Sequence, residues 1–470
     1  MERELIVIGG GPGGYEAAIR GAQLGAKVTL IDEDNLGGTC LNRGCIPTKS
    51  LYRNAEAVNS LSRLGEFGIS VGEYNFDMSA AQKRKNEVVN KLVIGIDQLL
   101  KGNGVEVIKG KASFKGSRIL EVITGNGEND IEELTAENII IATGSSTSEV
   151  SVPGINLPCV VTSDEILNFN EVPKSLAILG GGVVGIEFAG IFASLGTKVT
   201  IIEFLPKILY RLDEELSKKL TVYLKKQGIK IITGSALKEV QQTSEGLKLT
   251  VANEKETIDL TCDFLLSAAG RKPNTEGLNL ELSGIEYDRK GIKVDGNYRT
   301  TSEGVYAIGD VIGGVMLAHV ASEEGKVCVE NIYGHNSKIN YNAVPSCVFT
   351  FPEAASVGMT EDDAKENNVE YMVGKSMFGA NGKALSMGEG EGFVKVLAEK
   401  ESHKIIGVHI MGTHASDIIH EGSLAIQRQL TVEDIKESVF AHPTLSEVFY
   451  EAVCACTGEA IHSMPRKNNK

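Results

Sequence analysis

Two cysteines and one distant histidine carry the most reactive chemistry in this chain. Cys40 and Cys45 lie five positions apart in GGTCLNRGCIPTK, residues 37–49, and the C-terminal segment AHPTLSE sets His442 five residues before Glu447. A close thiol pair in a chain of this size points to redox or metal chemistry, because structural disulfide frameworks belong to small secreted domains. Cys45 stands at a helix start: Pro47 suits the first turn, and TKSLYRNAEAVNSL continues with helical character. The positive end of that helix and nearby Lys49 both favour a thiolate. Five residues of regular helix rise about 7.5 Å, more than the about 7 Å between Cα atoms that a disulfide tolerates. Bridging the pair requires a bend, which Gly44 can supply. The pair therefore reads as a redox-active disulfide. Zinc on the same thiols is the rival, but no second ligand pair stands at a customary spacing, so no metal site is expected. His442, with an ordinary pKa near ~6.5, suits proton transfer at neutral pH, and Glu447 can fix its tautomer. Pro443 is expected to pin the segment into a helix.

A redox pair needs an electron carrier, and residues 4–32 supply a place for one. They read strand, glycine turn, helix, strand, with Gly9, Gly11 and Gly14 in the turn and Asp32 closing the second strand. The glycines allow a tight turn and close approach of a pyrophosphate, the helix end faces the phosphates, and the acid accepts ribose hydroxyls. The same unit recurs at 176–203 with Gly180, Gly182, Gly185 and Glu203, where LGTKVTIIE repeats LGAKVTLID. Two units imply two dinucleotides and electron transfer between them. A carboxylate at Glu203, followed by FLPKIL with no arginine, accepts ribose hydroxyls and repels a 2′-phosphate, favouring NAD over NADP. The first unit, next to the cysteines, is then expected to hold a flavin.

Other segments frame these units. Residues 79–101 read as an amphipathic helix, 139–144 and 263–274 as the strands that close each nucleotide fold, and 304–311 as an apolar strand ending at Asp310. Asp310 suits a ribitol or ribose hydroxyl, with helix capping as the alternative. From about Val344 the pattern changes to alternating strands and a helix, an α+β domain without its own fingerprint. Cys454 and Cys456 read as two small buried hydrophobes rather than a second redox pair, since residues two apart point about 200° away from each other on a helix. His403, His409, His414 and His420 read as structural or surface residues. The formal net charge of −15 argues against nucleic acid and anionic membrane partners. With no targeting segment or membrane-length apolar run, the expectation is a cytoplasmic protein.

The two fingerprints, the cysteine pair and AHPTLSE together resemble the flavin-dependent disulfide reductases, over residues 4–462. GGGVVGIEFA, GVYAIGDV and LAHVASEEG match as well, most closely the branch that oxidises dihydrolipoamide with NAD. The resemblance implies an α/β fold with two Rossmann-like domains, FAD-binding at 1–148 and NAD-binding at 149–271. A central domain at 272–343 would complete the FAD site, and a dimerisation domain at 344–470 would build a homodimer. It assigns Gly9, Gly11, Gly14, Asp32, Thr39, Lys49, Ala112, Gly144, Asp310 and Ala318 to one tightly bound FAD per subunit. Gly180, Gly182, Gly185, Glu187, Glu203, Ala236 and Gly270 fall to NAD+ as co-substrate, with Glu187 also pairing with Lys49. Cys40 would meet the substrate, Cys45 the flavin, and His442 with Glu447 would come from the partner subunit as the base. Implied partners are lipoyl domains of 2-oxoacid dehydrogenase complexes or the lipoyl carrier of the glycine cleavage system. A related NAD(P)H-dependent disulfide or mercuric ion reductase is the alternative, and Glu203 counts against the NADPH expected there.

Overall fold

In a computed structural model, residues 3–125 and 130–464 are described. The outermost parts of the expected first and last domains, 1–2 and 465–470, lie outside them. Both nucleotide units form parallel sheets whose central strands are apolar on both faces, as burial under helices on either side demands. In the first, Glu106–Lys109, Val28–Asp32, Arg3–Ile8 and the far half of Ile131–Ile141 run parallel, and Val305–Ala307 joins alongside. The near half of Ile131–Ile141 turns antiparallel and continues into Ile119–Ile123 and Lys111–Gly116. The second unit repeats the plan with Lys230–Ile232, Lys198–Ile202, Ser175–Leu179, Phe264–Ser267 and Val160–Val161. It also has its own antiparallel meander, Ala236–Thr243, Gly246–Ala252 and Thr257–Cys262. The duplication thus extends beyond the fingerprints to the excursion between the third and fourth parallel strands.

The expected helix at 79–101 forms as Met78–Gly102, started by the Asp77 carboxylate, which accepts the N–H groups of Ser79 and Ala80. The chain after Val344 forms a five-stranded antiparallel sheet, ordered Ser346–Val348, Glu353–Gly358, Ile405–Gly412, Phe393–Glu399, Tyr371–Met377. Helices Ala415–Gln427 and Glu447–Cys456 pack on it. The last helix departs from expectation. It begins at Glu447, and Pro443, after a cis peptide, belongs to a turn in which the Thr444 hydroxyl donates to the Ala441 carbonyl. Cys454 is buried, and Cys456 sits against the Val396 carbonyl of the sheet. No helix among the described residues is long and apolar enough to cross a membrane.

The last sheet shares a core with the second nucleotide unit: Val348, Ala354, Phe393 and Met411 pack with Phe188, Ile191 and Phe192. A polar row crosses the same junction. Pairing register sets Ser356 beside His409, His409 beside Lys395 and Lys395 beside Lys375. The Lys395 ammonium reaches Asp213 at 2.6 Å and Glu361 at 2.9 Å, with the Lys395 and Asp213 side chains 2% and 1% exposed. Asp213 also starts helix Glu214–Lys226 by accepting two backbone N–H groups. Removing one member of such a pair strands a buried charge. Lys395→Met should therefore cost about 3–5 kcal/mol in denaturant unfolding. A loss below about 1 kcal/mol would contradict the inference that the junction depends on this pair.

Candidate active site

The cysteines sit where two helices meet end to end. Gly38–Arg43 stops at Gly44, whose φ of −141° and ψ of −113° leave the helical region, and Cys45–Arg63 begins immediately after. A side chain at 44 would press on the Thr39 carbonyl at 2.9 Å, so glycine permits both the bend and the close approach. The Thr48 hydroxyl donates to the Gly44 carbonyl at 2.7 Å and tightens the corner. Both cysteines are free thiols here, the reduced form of the expected pair. The Cys40 S–H, donating to Cys45, holds the Cys45 thiol down at about 7, with Lys49 helping against the effect of burial. Cys40 moves the opposite way, raised by its role as donor and by burial. The two sulfurs are therefore unequal, and Cys45 is the one favoured to ionise.

Lys49, one turn into the Cys45–Arg63 helix, reaches both carboxylate oxygens of Glu187, at 2.9 and 2.8 Å. Glu187 is buried on helix Val183–Ser194 of the second unit. Its Oε1 also accepts the Phe349 backbone N–H at 3.1 Å, from the loop after the first strand of the last sheet. The Phe349 ring lies under the Lys49 ammonium, 4.3 Å from centroid to nitrogen.

These residues line one cleft of about 1350 Å³. Gly9, Gly11, Asp32 and Thr39 line it, as do Ala112, Gly144, Asp310 and Ala318. Gly14 lies behind the turn, where a side chain would strike the Gly9 carbonyl; Gly185 stands the same way to Gly180. Gly9 and Gly180 have φ of 107° and 115° and are closely backed by Ala142 and Ala268. The middle glycines differ: at Gly182 nothing lies within 4 Å of an added Cβ, and at Gly11 the nearest atom is 4.0 Å away. That open backbone is the space a pyrophosphate needs, so both turns fit a dinucleotide. Asp32 accepts the N–H groups of Gly10 and Asp34; burial nonetheless raises its carboxyl above the usual range. Glu203 is tied likewise to Gly181 at 2.5 Å and Leu205 at 2.6 Å. Gly180, Gly182, Gly185, Glu203, Ala236 and Gly270 lie outside the cleft in the second unit, with Ser235, next to Ala236, donating its N–H to the Glu203 carbonyl.

His442 is bound to Glu447, Nδ1 to Oε1 at 2.9 Å, while the other Glu447 oxygen accepts the Thr444 N–H at 2.8 Å. Partial burial raises the Glu447 carboxyl, but Thr444 and His442 outweigh it and hold it below the usual range. The His442 side chain is 78% exposed and does not line the cleft. One chain therefore assembles the thiols, Lys49 and both cradles, but leaves the histidine facing outward. Sequence reasoning missed other cleft residues, namely Ser145, Arg271, His319, Cys347 and Phe349, and His420 lines the cleft instead of serving only as structure. Arg271 follows the glycine closing the second unit, a position GRKPN could have flagged. Cys347, a lone thiol in a strand, gave no such signal. Of the other histidines, His409 is wholly buried, bonded to Ser356 at 2.6 Å and to the Met359 carbonyl at 3.0 Å.

Comparison with known proteins agrees with this geometry. The family model described as pyridine nucleotide-disulphide oxidoreductase matches residues 3–325, and that family's dimerisation domain matches 344–453. A dihydrolipoyl dehydrogenase from Geobacillus stearothermophilus is 42% identical over 464 residues, 98% of each chain. The mitochondrial dihydrolipoyl dehydrogenase of Pisum sativum is 42% identical over 98% of this chain and 93% of its own. Among solved structures, the HOCl-induced flavoprotein disulfide reductase RclA from Escherichia coli superposes with a TM-score of 0.85. It is 30% identical, over 96% of this chain and 99% of that one. A paired thiol corner, two dinucleotide turns and matches spanning nearly the whole chain make it a member of the pyridine nucleotide-disulphide oxidoreductases, flavoproteins that use FAD and NAD(H).

Proposed function

We propose that the chain is a dihydrolipoamide dehydrogenase, oxidising protein-bound dihydrolipoamide to lipoamide and reducing NAD+ to NADH. The observation that carries the reading is the thiol corner set between two dinucleotide turns, in a chain 42% identical to dihydrolipoyl dehydrogenases along its length. FAD would be held by Gly9, Gly11, Gly14 and Asp32, with Thr39, Lys49, Ala112, Gly144, Asp310 and Ala318 around it. NAD+ would lie on Gly180, Gly182 and Gly185, with Glu203 at its ribose and Glu187, Ala236 and Gly270 nearby. The domain divisions after 148, 271 and 343 belong to this reading, as do a cytoplasmic location, a homodimer and lipoyl-bearing partner complexes.

The exchange needs a base first, because only a thiolate attacks a disulfide. The partner's His442, oriented by the partner's Glu447, takes the proton from one substrate thiol. The resulting thiolate attacks Cys40 Sγ, breaking the Cys40–Cys45 bond and releasing Cys45 as a thiolate. The second substrate thiol, deprotonated in turn, displaces Cys40 and closes the lipoyl ring. The substrate has then lost two electrons and two protons; one proton ends on the Cys40 thiol and the other on the partner's His442, with Cys45 left as the thiolate. The Cys40 donor and the Lys49 charge keep Cys45 ionised near neutrality. When bound, FAD supplies the two-electron carrier between this dithiol and NAD+.

With dihydrolipoamide, NAD+ should support turnover and NADP+ should give kcat/KM lower by about tenfold or more, given the acid at the ribose; equal use of both would sink the Glu203 reading. His442→Gln should cut turnover by roughly 10²–10⁴-fold while leaving NADH oxidation by ferricyanide intact, and an unchanged dihydrolipoamide rate would remove His442 from the mechanism. In the reduced enzyme, the thiolate ultraviolet absorbance should appear as pH rises through about 7. Lys49→Met should move that midpoint upward, and a midpoint left in place would show that Lys49 does not set the Cys45 ionisation.

A further inference from the structure

The two nucleotide units are strapped together by a short antiparallel pair, Ser145–Thr147 with Arg271–Pro273, formed just beyond the ends of Ile131–Ile141 and Phe264–Ser267. Asn274 fastens the strap, its N–H to the Gly144 carbonyl at 3.0 Å and its amide to the Thr143 carbonyl at 3.0 Å. Within the strap, the Arg271 guanidinium grips one residue twice. Nε donates to the Ser145 hydroxyl at 2.7 Å and Nη2 to the Ser145 carbonyl at 2.6 Å. Ser145 is buried, and its hydroxyl in turn donates to Oδ2 of Asp310.

The chemistry of the three groups makes this chain directional. A guanidinium only donates, and a serine hydroxyl has one hydrogen to give. With Arg271 donating into the Ser145 oxygen, the single Ser145 hydrogen is left for Asp310. Oδ2 of Asp310 is thereby satisfied, and Oδ1 has no protein partner among the described residues although Asp310 lines the cleft. The backbone is held as well: the Gly309 N–H, one residue before, donates to the buried Glu324 carboxylate at 2.7 Å. Arg271 itself makes no ion pair among the described residues; its side-chain hydrogen bonds there both go to Ser145. We propose that Arg271 is a positioning residue that, through Ser145, aims the free oxygen of Asp310 at a ribityl hydroxyl of FAD. A residue of the second dinucleotide unit thus governs how firmly the first unit retains its flavin. The inference rests on the reading of Asp310 as an FAD ligand.

The test is the rate of FAD release from diluted holoenzyme, followed by the rise in flavin fluorescence. Arg271→Met and Ser145→Ala should each release FAD about tenfold faster than the parent, the loss of one hydrogen bond to a charged group. The double variant should be no faster than the faster single one, and Arg271→Lys, which retains one donor, should fall between. Parental release from Ser145→Ala overturns the relay. Multiplying effects in the double variant also overturn it, because Arg271 would then act by bracing the strap. Asp310→Asn is the separate control: parental release there removes the Asp310 assignment, and the relay with it. If Arg271→Met does not fold, Ser145→Ala is compared in parental and Asp310→Asn backgrounds, and acceleration in both overturns the proposal.

Discussion

Glu187 is the carboxylate on which the arrangement depends. It is buried, and a buried charge must be paired and hydrogen-bonded or it does not stay charged. Its partners come from both other parts of the chain: Lys49 from the first unit's cysteine helix and the Phe349 N–H from the start of the last sheet. An ion pair of this kind contributes little net stability over apolar packing, but it rejects arrangements that leave either charge alone. Here the arrangement selected is the relative position of two dinucleotide cradles and a thiol pair. Lys49 is the link to chemistry, since the ammonium that satisfies Glu187 also helps hold Cys45 near neutrality.

The duplicated units show one physical solution used twice, then modified once. Both turns place a backed glycine, an open glycine and a packing glycine in the same order, and both tie the closing acid to a backbone N–H in the turn. Among the described residues, only the first unit continues into the broken helix that carries the thiols, and only it receives a late strand, Val305–Ala307, bringing Asp310 to the cleft. In the proposed function, this asymmetry separates a flavin beside the thiol pair from an outer site where the co-substrate NAD+ can come and go.

Much of this was legible in the sequence because its determinants are local. Glycine spacing, a strand-ending acid and a proline in the first turn act within a few residues, and the helices at 45–63 and 78–102 follow from their own segments. The polar row from Ser356 to Lys375 was not legible, since register across four strands is a long-range outcome that no single segment encodes. Nor was the role of Phe349, whose backbone rather than side chain binds Glu187. Pro443 misled for a related reason: a proline suits a helix start and a turn equally well, and the Thr444 contacts that decide it are tertiary in kind. The thiols and His442 were paired by chemistry in the sequence, whereas a single folded chain keeps them apart.

That separation is the central claim at its most exposed: one chain supplies the disulfide and a second copy supplies the base. Mixed dimers measure it directly. Cys45→Ser and His442→Gln homodimers should each be nearly inactive with dihydrolipoamide. Their heterodimer contains one site with both defects and one with neither, so its turnover should recover to about half that of the parent. If the heterodimer stays as inactive as its parents, the cysteines and the histidine act within one chain, and the account is wrong.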